Sequence, residues 1–154
     1  MRFPLAILSG SKAVLPDGTI PLANDDEVRW VFLGHRRLVN VPVRVTDTQE
    51  LLVGIKVLDH QMEGWDVPPV QSHHTLAKTS LFFPLNDQYF RTVQVVRWVH
   101  YGIENLINVP ARILGLGNDV ARIQVLRHTD KRVGSPQVGH IALVNKASLF
   151  LPAS

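Results

Sequence analysis

Apolar residues recur at every second position in several short segments of the chain. Residues 41–45 read VPVRV, residues 109–113 read VPARI, and residues 120–126 read VARIQVL. This period of two is typical of β-strands with one buried face. A helical period of 3.6 residues is not found over a useful length, because Pro and Gly interrupt each candidate segment. The pattern therefore predicts an all-β protein.

The chain also repeats itself. Residues 28–58 align without a gap with residues 96–126, an offset of 68 residues, and 13 of the aligned positions are identical. The same offset aligns KTSLFFP at 78–84 with KASLFLP at 146–152. Such self-similarity indicates two copies of one structural unit. We expect four or five strands in each unit, and the predicted organisation is a β-rich extension, a first unit, a connector and a second unit at residues 1–27, 28–84, 85–95 and 96–152.

Five short strands in one unit are too few for a sandwich, but they can close into a small barrel without exposed edges. The succession of WV, VPARI, VARIQVL, HIALV and SLFLP in the second unit resembles the strand order of SH3-like small barrels of the Tudor, Agenet and KOW types. The resemblance implies two barrels in tandem and a binding module for nucleic acid, peptide or protein. Because a barrel of this size buries only about 60% of its unfolded surface, we expect the two to pack together, with residues 1–27 covering a seam or edge.

Composition and charge narrow the functional classes. Cysteine is absent, which excludes thiol catalysis, disulfides and cysteine zinc sites. The net charge is +3, and 11 arginines outnumber 5 lysines. Arginine presents planar, bidentate donors that suit phosphates and carboxylates. Charge is also uneven, since residues 28–84 carry +1 and residues 96–152 carry +4, so the second unit favours an anionic ligand.

Signals for membranes and for catalysis are missing. No apolar stretch approaches the roughly 20 residues of a membrane-spanning helix, and the N-terminal apolar run is too short for a signal peptide. We therefore expect a cytoplasmic protein with no membrane partner. The segment Ser9–Lys12 fits S-x-x-K but lacks its companion motifs, and Gly115–Gly117 precedes a strand instead of a helix. We expect no catalytic residue, no cofactor and no enzymatic activity.

The seven histidines raise the question of a metal site. His60 and His128 occupy equivalent positions in the two units. His73 and His74 are adjacent, so in a strand they point to opposite faces and do not share one ion easily. With no cysteine and no HExxH pattern beside them, we expect no metal site.

Several basic residues are candidate ligand contacts. Arg44 and Arg112 lie between inward-pointing aliphatic residues and should point outward. Solvent exposure explains such residues, and so does contact with a phosphate or carboxylate. Arg97 flanks Trp98, and its aliphatic stem alone could account for it. The loop at 126–140 adds three basic residues, Arg127, Lys131 and Arg132. Contact with an anionic ligand would explain them, and so would simple exposure of a solvated loop.

The remaining candidates are aromatic and amide side chains. Trp65 lies in a long, proline-rich loop, where a tryptophan is either tucked onto the barrel or exposed as an anchor for a partner. The repeated Trp30 and Trp98 are predicted to lie in the core or at the barrel mouth, with stacking on a base or peptide as the alternative. Asn40 and Asn108 should order a turn by bonding their own backbone.

The favoured hypothesis is nucleic-acid binding, to single-stranded or structured molecules, through arginines on the barrel faces and the basic loop of the second unit. Backbone phosphates would supply most of the affinity. The alternative is a protein–protein interaction adaptor that uses the Trp65 loop or a barrel edge. An enzyme with an unrecognised site is a third hypothesis without a supporting motif. The sequence leaves the ligand and the oligomeric state open.

Overall fold

The computed structural model describes residues 12–154, and its regular structure is almost entirely β. The first five strands are β1 (Glu27–Leu33), β2 (Leu38–Thr48), β3 (Leu52–Val57), β4 (His73–Ala77) and β5 (Leu81–Pro84). After a short helix, α1 (Asp87–Thr92), come β6 (Val95–Gly102), β7 (Asn105–Leu116), β8 (Val120–Val125), β9 (Ile141–Asn145) and β10 (Leu149–Pro152). The prediction of an all-β protein is confirmed.

The two sets of strands have the same internal arrangement. The strands β6, β8, β9 and β10 each begin 68 residues after their counterparts in the first set. A 3-10 turn precedes the last strand in each set, at Lys78–Ser80 and at Lys146–Ser148. Both long second strands carry a register shift at equivalent positions, between Val45 and Asp47 and between Ile113 and Gly115. Such a bulge bends a strand and increases its twist.

The ten strands of residues 12–154 belong to one antiparallel sheet, in the order β4-β3-β2-β1-β5-β10-β6-β7-β8-β9. The two halves join where β5 pairs with β10, with Leu151 opposite Phe83. The strands β4 and β9 lie at the two edges, so hydrogen bonding does not close the sheet. The expected pair of closed barrels is therefore not confirmed.

The segment before β1 contributes little regular structure. Ile20 forms an isolated parallel bridge with Ala153 beyond the end of β10, and the backbone N–H of Ile20 donates to the carbonyl of Pro152 at 3.0 Å. The side chain of Ile20 is fully buried. The rest of the predicted N-terminal extension, residues 1–11, lies outside the described residues.

The largest hydrophobic cluster contains residues of both units, among them Val28, Ile55, Ala111 and Ile123. A second cluster lies where the two halves meet and consists of Val31, Phe82, Val99 and Phe150, each no more than 3% exposed. The rings of Phe82 and Phe150 approach to 5.5 Å between centroids at an angle of 52°. The central strands β5 and β10 are therefore buried on both faces, as their uninterrupted apolar sequences require.

We expect Phe150→Ala to lower the free energy of unfolding by about 3–5 kcal/mol, since it removes a buried ring from the contact between the two halves. Urea denaturation followed by far-UV circular dichroism measures this loss. Leu143→Ala is the control, because Leu143 is 70% exposed and should change stability by no more than about 0.5 kcal/mol. Equal effects of the two substitutions would contradict the importance of this contact.

Candidate nucleic-acid interface

The arginine before each repeated tryptophan is held by an asparagine of the neighbouring strand. Arg97 donates from Nε to Asn108 Oδ1 at 2.7 Å and from Nη2 to the Asn108 carbonyl at 2.8 Å. Arg29 donates to Asn40 in the same way at 2.7 and 3.0 Å. Both asparagines therefore accept cross-strand hydrogen bonds, and the expectation that they order turns was wrong. Two of the three guanidinium nitrogens of Arg97 are occupied, and burial lowers its pKa.

The repeated arginines of β2 and β7 differ in their surroundings. Arg44 forms an exposed ion pair with Glu27 of β1, at 3.1 Å between Nη2 and Oε1. In the second unit Val95 takes the position of Glu27, directly opposite Arg112. Arg112 is exposed, and no ion pair to it occurs within residues 12–154. Arg112 therefore keeps an uncompensated charge that Arg44 does not.

A second arginine, which the sequence analysis did not single out, lies on the same face as Arg112. On β8, Gln124 is opposite Arg112, and Arg122 lies two residues before Gln124. Because side chains alternate along a strand, Arg122 and Gln124 share one face, and Arg122 is a diagonal neighbour of Arg112. The alternation in VARIQVL could have identified it, since the residues on either side of Arg122 are buried.

Two exposed aliphatic residues of the edge strand β9 extend this face. Ile141 is opposite Gln124 and is 46% exposed, and Leu143 is opposite Arg122 and is 70% exposed. We define the unit 2 outer face as the five residues that these registers bring together: Arg112, Arg122, Gln124, Ile141 and Leu143. This face combines two arginines, an amide and apolar surface, and it carries no carboxylate.

The basic loop after β8 is braced by its own side chains. Arg132 forms an ion pair with Asp130 at 2.7 Å, and the hydrogen bonds from Arg132 are the main reason why the pKa of Asp130 falls to about 2. Arg132 is thus largely neutralised. Arg127 and Lys131 are exposed and form no ion pair within the described part of the chain. Of the three candidate bases in this loop, these two keep a free charge.

The equivalent histidines brace the long loops of both units. His60 Nε2 lies 2.9 Å from the carbonyl of Pro68, and His128 Nε2 lies 2.8 Å from the carbonyl of Pro136. His128 Nδ1 also accepts the backbone N–H of Asp130 at 3.1 Å. Because both histidines hold a loop in place, their structural role explains why they occur at equivalent positions. Within residues 12–154 no group of three or more His, Cys, Asp or Glu side chains has an arrangement suited to a metal ion.

Trp65 lies at the tip of the long loop of the first unit and is 85% exposed, with His35 as its ring neighbour at 5.6 Å between centroids. The next residue, Asp66, anchors the loop to the β1–β2 hairpin. Its carboxylate accepts the backbone N–H of His35 at 2.9 Å and the guanidinium of Arg37 at 2.7 Å. These bonds, that of Arg37 first, hold the pKa of Asp66 well below its usual range. A Cβ on Gly34 would collide with this carboxylate. The loop therefore presents the indole on a fixed support.

Trp30 and Trp98 are half-buried and pack against the hydrophobic clusters. Trp98 stacks on His100 at 3.9 Å between ring centroids, where Trp30 has Phe32 at 4.6 Å. The Nδ1 atom of His100 is buried without a hydrogen-bond partner in the described residues. Burial lowers the pKa of His100, so the folded protein favours its neutral form.

Comparisons with known proteins give no relative. No family model, no curated protein and no solved structure matches this chain. Among the helices of the described residues, none is long and apolar enough to cross a membrane. The candidate interface therefore rests on the geometry of its own residues.

We expect the thermal stability of the protein to fall as the pH drops from about 7.5 to 5, in part because of His100. Its pKa is lower in the folded state, so the unfolded chain takes up a proton first. The contribution of His100 to the free energy of unfolding is fully present above its pKa in the unfolded chain, about 6.5. This contribution is lost as the pH falls from there towards the lower pKa of His100 in the folded protein. His100→Phe, which copies Phe32, should give a flatter profile of melting temperature against pH. His73→Gln, at an exposed edge position, is the control, and parallel profiles for His100→Phe and the unchanged protein would contradict this assignment.

Proposed function

We propose that this protein is a non-enzymatic nucleic-acid-binding protein that acts in the cytoplasm. The observation that carries the proposal is the unit 2 outer face, where Arg112 and Arg122 are diagonal neighbours without a carboxylate between them. Their long side chains can reach neighbouring phosphates of one strand, and guanidinium groups suit phosphate oxygens. The exposed side chains of Ile141 and Leu143 offer apolar surface to sugars or bases beside those phosphates.

Arg127 and Lys131 extend this positive surface beyond the end of β8. Leu126 still donates to the carbonyl of Pro110 at 2.9 Å, so the chain leaves β8 beside β7 before the loop begins. Both bases are exposed and unpaired in the described chain, which lets them add to the local field. Together with Arg112 and Arg122, they are four basic residues of the second unit that are exposed and form no ion pair within the described residues.

We also propose that each unit is an SH3-like small barrel, in tandem. Three features support this fold. In each unit the last strand returns beside the first, β5 beside β1 and β10 beside β6. A 3-10 turn precedes that last strand. The long second strand carries a bulge, which lets one strand bend between two halves of a small barrel.

Fluorescence anisotropy with labelled single-stranded DNA, RNA and duplex tests the proposal at about 50 and 200 mM salt. Four phosphate contacts predict that single-strand affinity falls about 50-fold between these concentrations. The double substitution Arg112→Gln, Arg122→Gln leaves about two contacts, and the fall should then be only about sevenfold.

Arg44→Gln is the matched control, because the repeat places Arg44 at the position of Arg112 but Glu27 already neutralises it. Its salt dependence should equal that of the unchanged protein. No binding at low salt, or an equal effect of Arg44→Gln, would overturn the assignment of the interface.

The exposure of Trp65 favours a second candidate function, a protein–protein interaction adaptor. A tryptophan that is 85% exposed on an anchored loop has the size and rigidity of an interface hot spot. We propose that a protein partner would bury this indole in an apolar pocket. Such binding would tolerate salt, unlike binding to nucleic acid.

Trp65→Ala should abolish salt-tolerant capture of a protein partner while changing stability by no more than about 0.5 kcal/mol, because the side chain is exposed. Crosslinking pull-downs at about 200 mM salt measure the capture. Val133→Ala is the matched control, since Val133 is the counterpart of Trp65 in the second unit and is 65% exposed. Capture that survives Trp65→Ala would rule this candidate out.

A further inference from the structure

A cleft of about 560 Å³ lies between the two units, and its described lining includes none of the five residues of the unit 2 outer face. Arg29 and Asn40 line it from the first unit, and Asn118 and Lys146 line it from the second. Its volume is within the range of small-molecule sites, about 300–1,000 Å³. The cleft therefore has room for a ligand and has polar groups from both units in its lining.

Arg29 brings to this cleft a positive charge that forms no ion pair with the described residues. Its Nε and Nη2 atoms donate to Asn40, which is neutral, and its Nη1 atom makes no hydrogen bond to the described residues. No ion pair to Arg29 occurs within residues 12–154. Arg29 is half-buried, and this burial partly desolvates its charge and lowers its pKa. An anion at the free edge of the guanidinium would compensate that cost.

Lys146 supplies a second cation from the opposite unit. Its Nζ atom lies 5.0 Å from the centroid of the Phe90 ring, which fixes the ammonium by a cation–π contact. Phe90, Leu149 and Phe150 also line the cleft and are buried. An apolar lining lowers the local dielectric constant, so both charges act more strongly on a bound anion than they would in water.

We propose that this cleft binds a phosphate group between Arg29 of the first unit and Lys146 of the second. A tetrahedral phosphate can offer oxygens to both cations at once, whereas a planar carboxylate would satisfy the single free edge of Arg29. Asp87 also lines the cleft and opposes an anion. The site therefore carries two positive charges and one negative charge.

The repeat provides a natural comparison. Arg97 has the same hydrogen bonds to Asn108 as Arg29 has to Asn40. The cleft beside Arg97 is smaller, about 310 Å³, and its described lining includes Asp17 but no lysine. Arg97 thus makes the same hydrogen bonds as Arg29, but different residues surround it. Comparing the single substitutions of Arg29 and Arg97 therefore distinguishes weaker ligand binding from the structural effect of losing the contact to asparagine.

Isothermal titration calorimetry of the full chain with inorganic phosphate, at constant ionic strength, tests the site. Arg29→Gln and Lys146→Gln should each weaken phosphate binding about tenfold, the value of one charge-assisted hydrogen bond. Asp87→Asn should strengthen it, since it removes the opposing charge. The matched controls are Arg97→Gln, which loses the same contact to asparagine, and Lys78→Gln, the counterpart of Lys146; both should bind phosphate like the unchanged protein.

Absence of phosphate binding at millimolar concentration would overturn the proposal, and so would equal weakening by Arg29→Gln and Arg97→Gln. The source of the phosphate is decided by a second arm, the affinity of Lys146→Gln for a single-stranded oligonucleotide. A loss of about tenfold would show that the cleft takes a backbone phosphate of nucleic acid. Unchanged affinity would show that it takes a small phosphate compound. Both results support the site, because phosphate titration defines it independently.

Discussion

The structure depends on the pairing of β5 with β10. Each half of the chain alone would have two unpaired sheet edges, and this contact removes one from each half. It is short, with Phe82, Phe83 and Pro84 opposite Pro152, Leu151 and Phe150. Burial on both faces compensates for the small number of residues, because apolar contacts scale with area removed from water. The inter-unit cleft beside Phe150 exists only because this pairing fixes the orientation of the halves.

In both units the long loop packs closely against the first hairpin, but the chemical groups in contact differ between the units. In the first unit the carboxylate of Asp66 anchors the long loop beside Gly34. In the second unit the equivalent contact is between two backbone segments, where a Cβ on Gly102 would lie 3.0 Å from the carbonyl oxygen of Gly134. Asn105 helps by donating to the carbonyl of Val133 at 3.0 Å. The close approach of loop and hairpin is preserved although the ion pair is not.

A residue that is identical in the two units is not necessarily one that can contact a ligand. Arg97 and Asn108 form hydrogen bonds between two neighbouring strands, as Arg29 and Asn40 do. This structural role is enough to explain why the pair is identical in the two units. Divergent positions give the second unit its distinct surface. Val95 replaces a glutamate and Arg122 replaces a glycine, and each change raises the positive charge of the same face. The functional hypotheses therefore rest mainly on differences between the repeats.

The sequence alone determined the strand content and the offset of the repeat. Both follow from local rules: alternation marks a half-buried strand, and duplicated apolar positions mark duplicated strands. It also indicated that Arg112 faces outward, since direction alternates along a strand. Tertiary structure decided which charges are free, because the partners of Arg44 and Arg132 depend on which side chains the fold brings within reach. It likewise decided that the two units share one sheet, since strand pairing over long sequence separation leaves no local pattern in the chain.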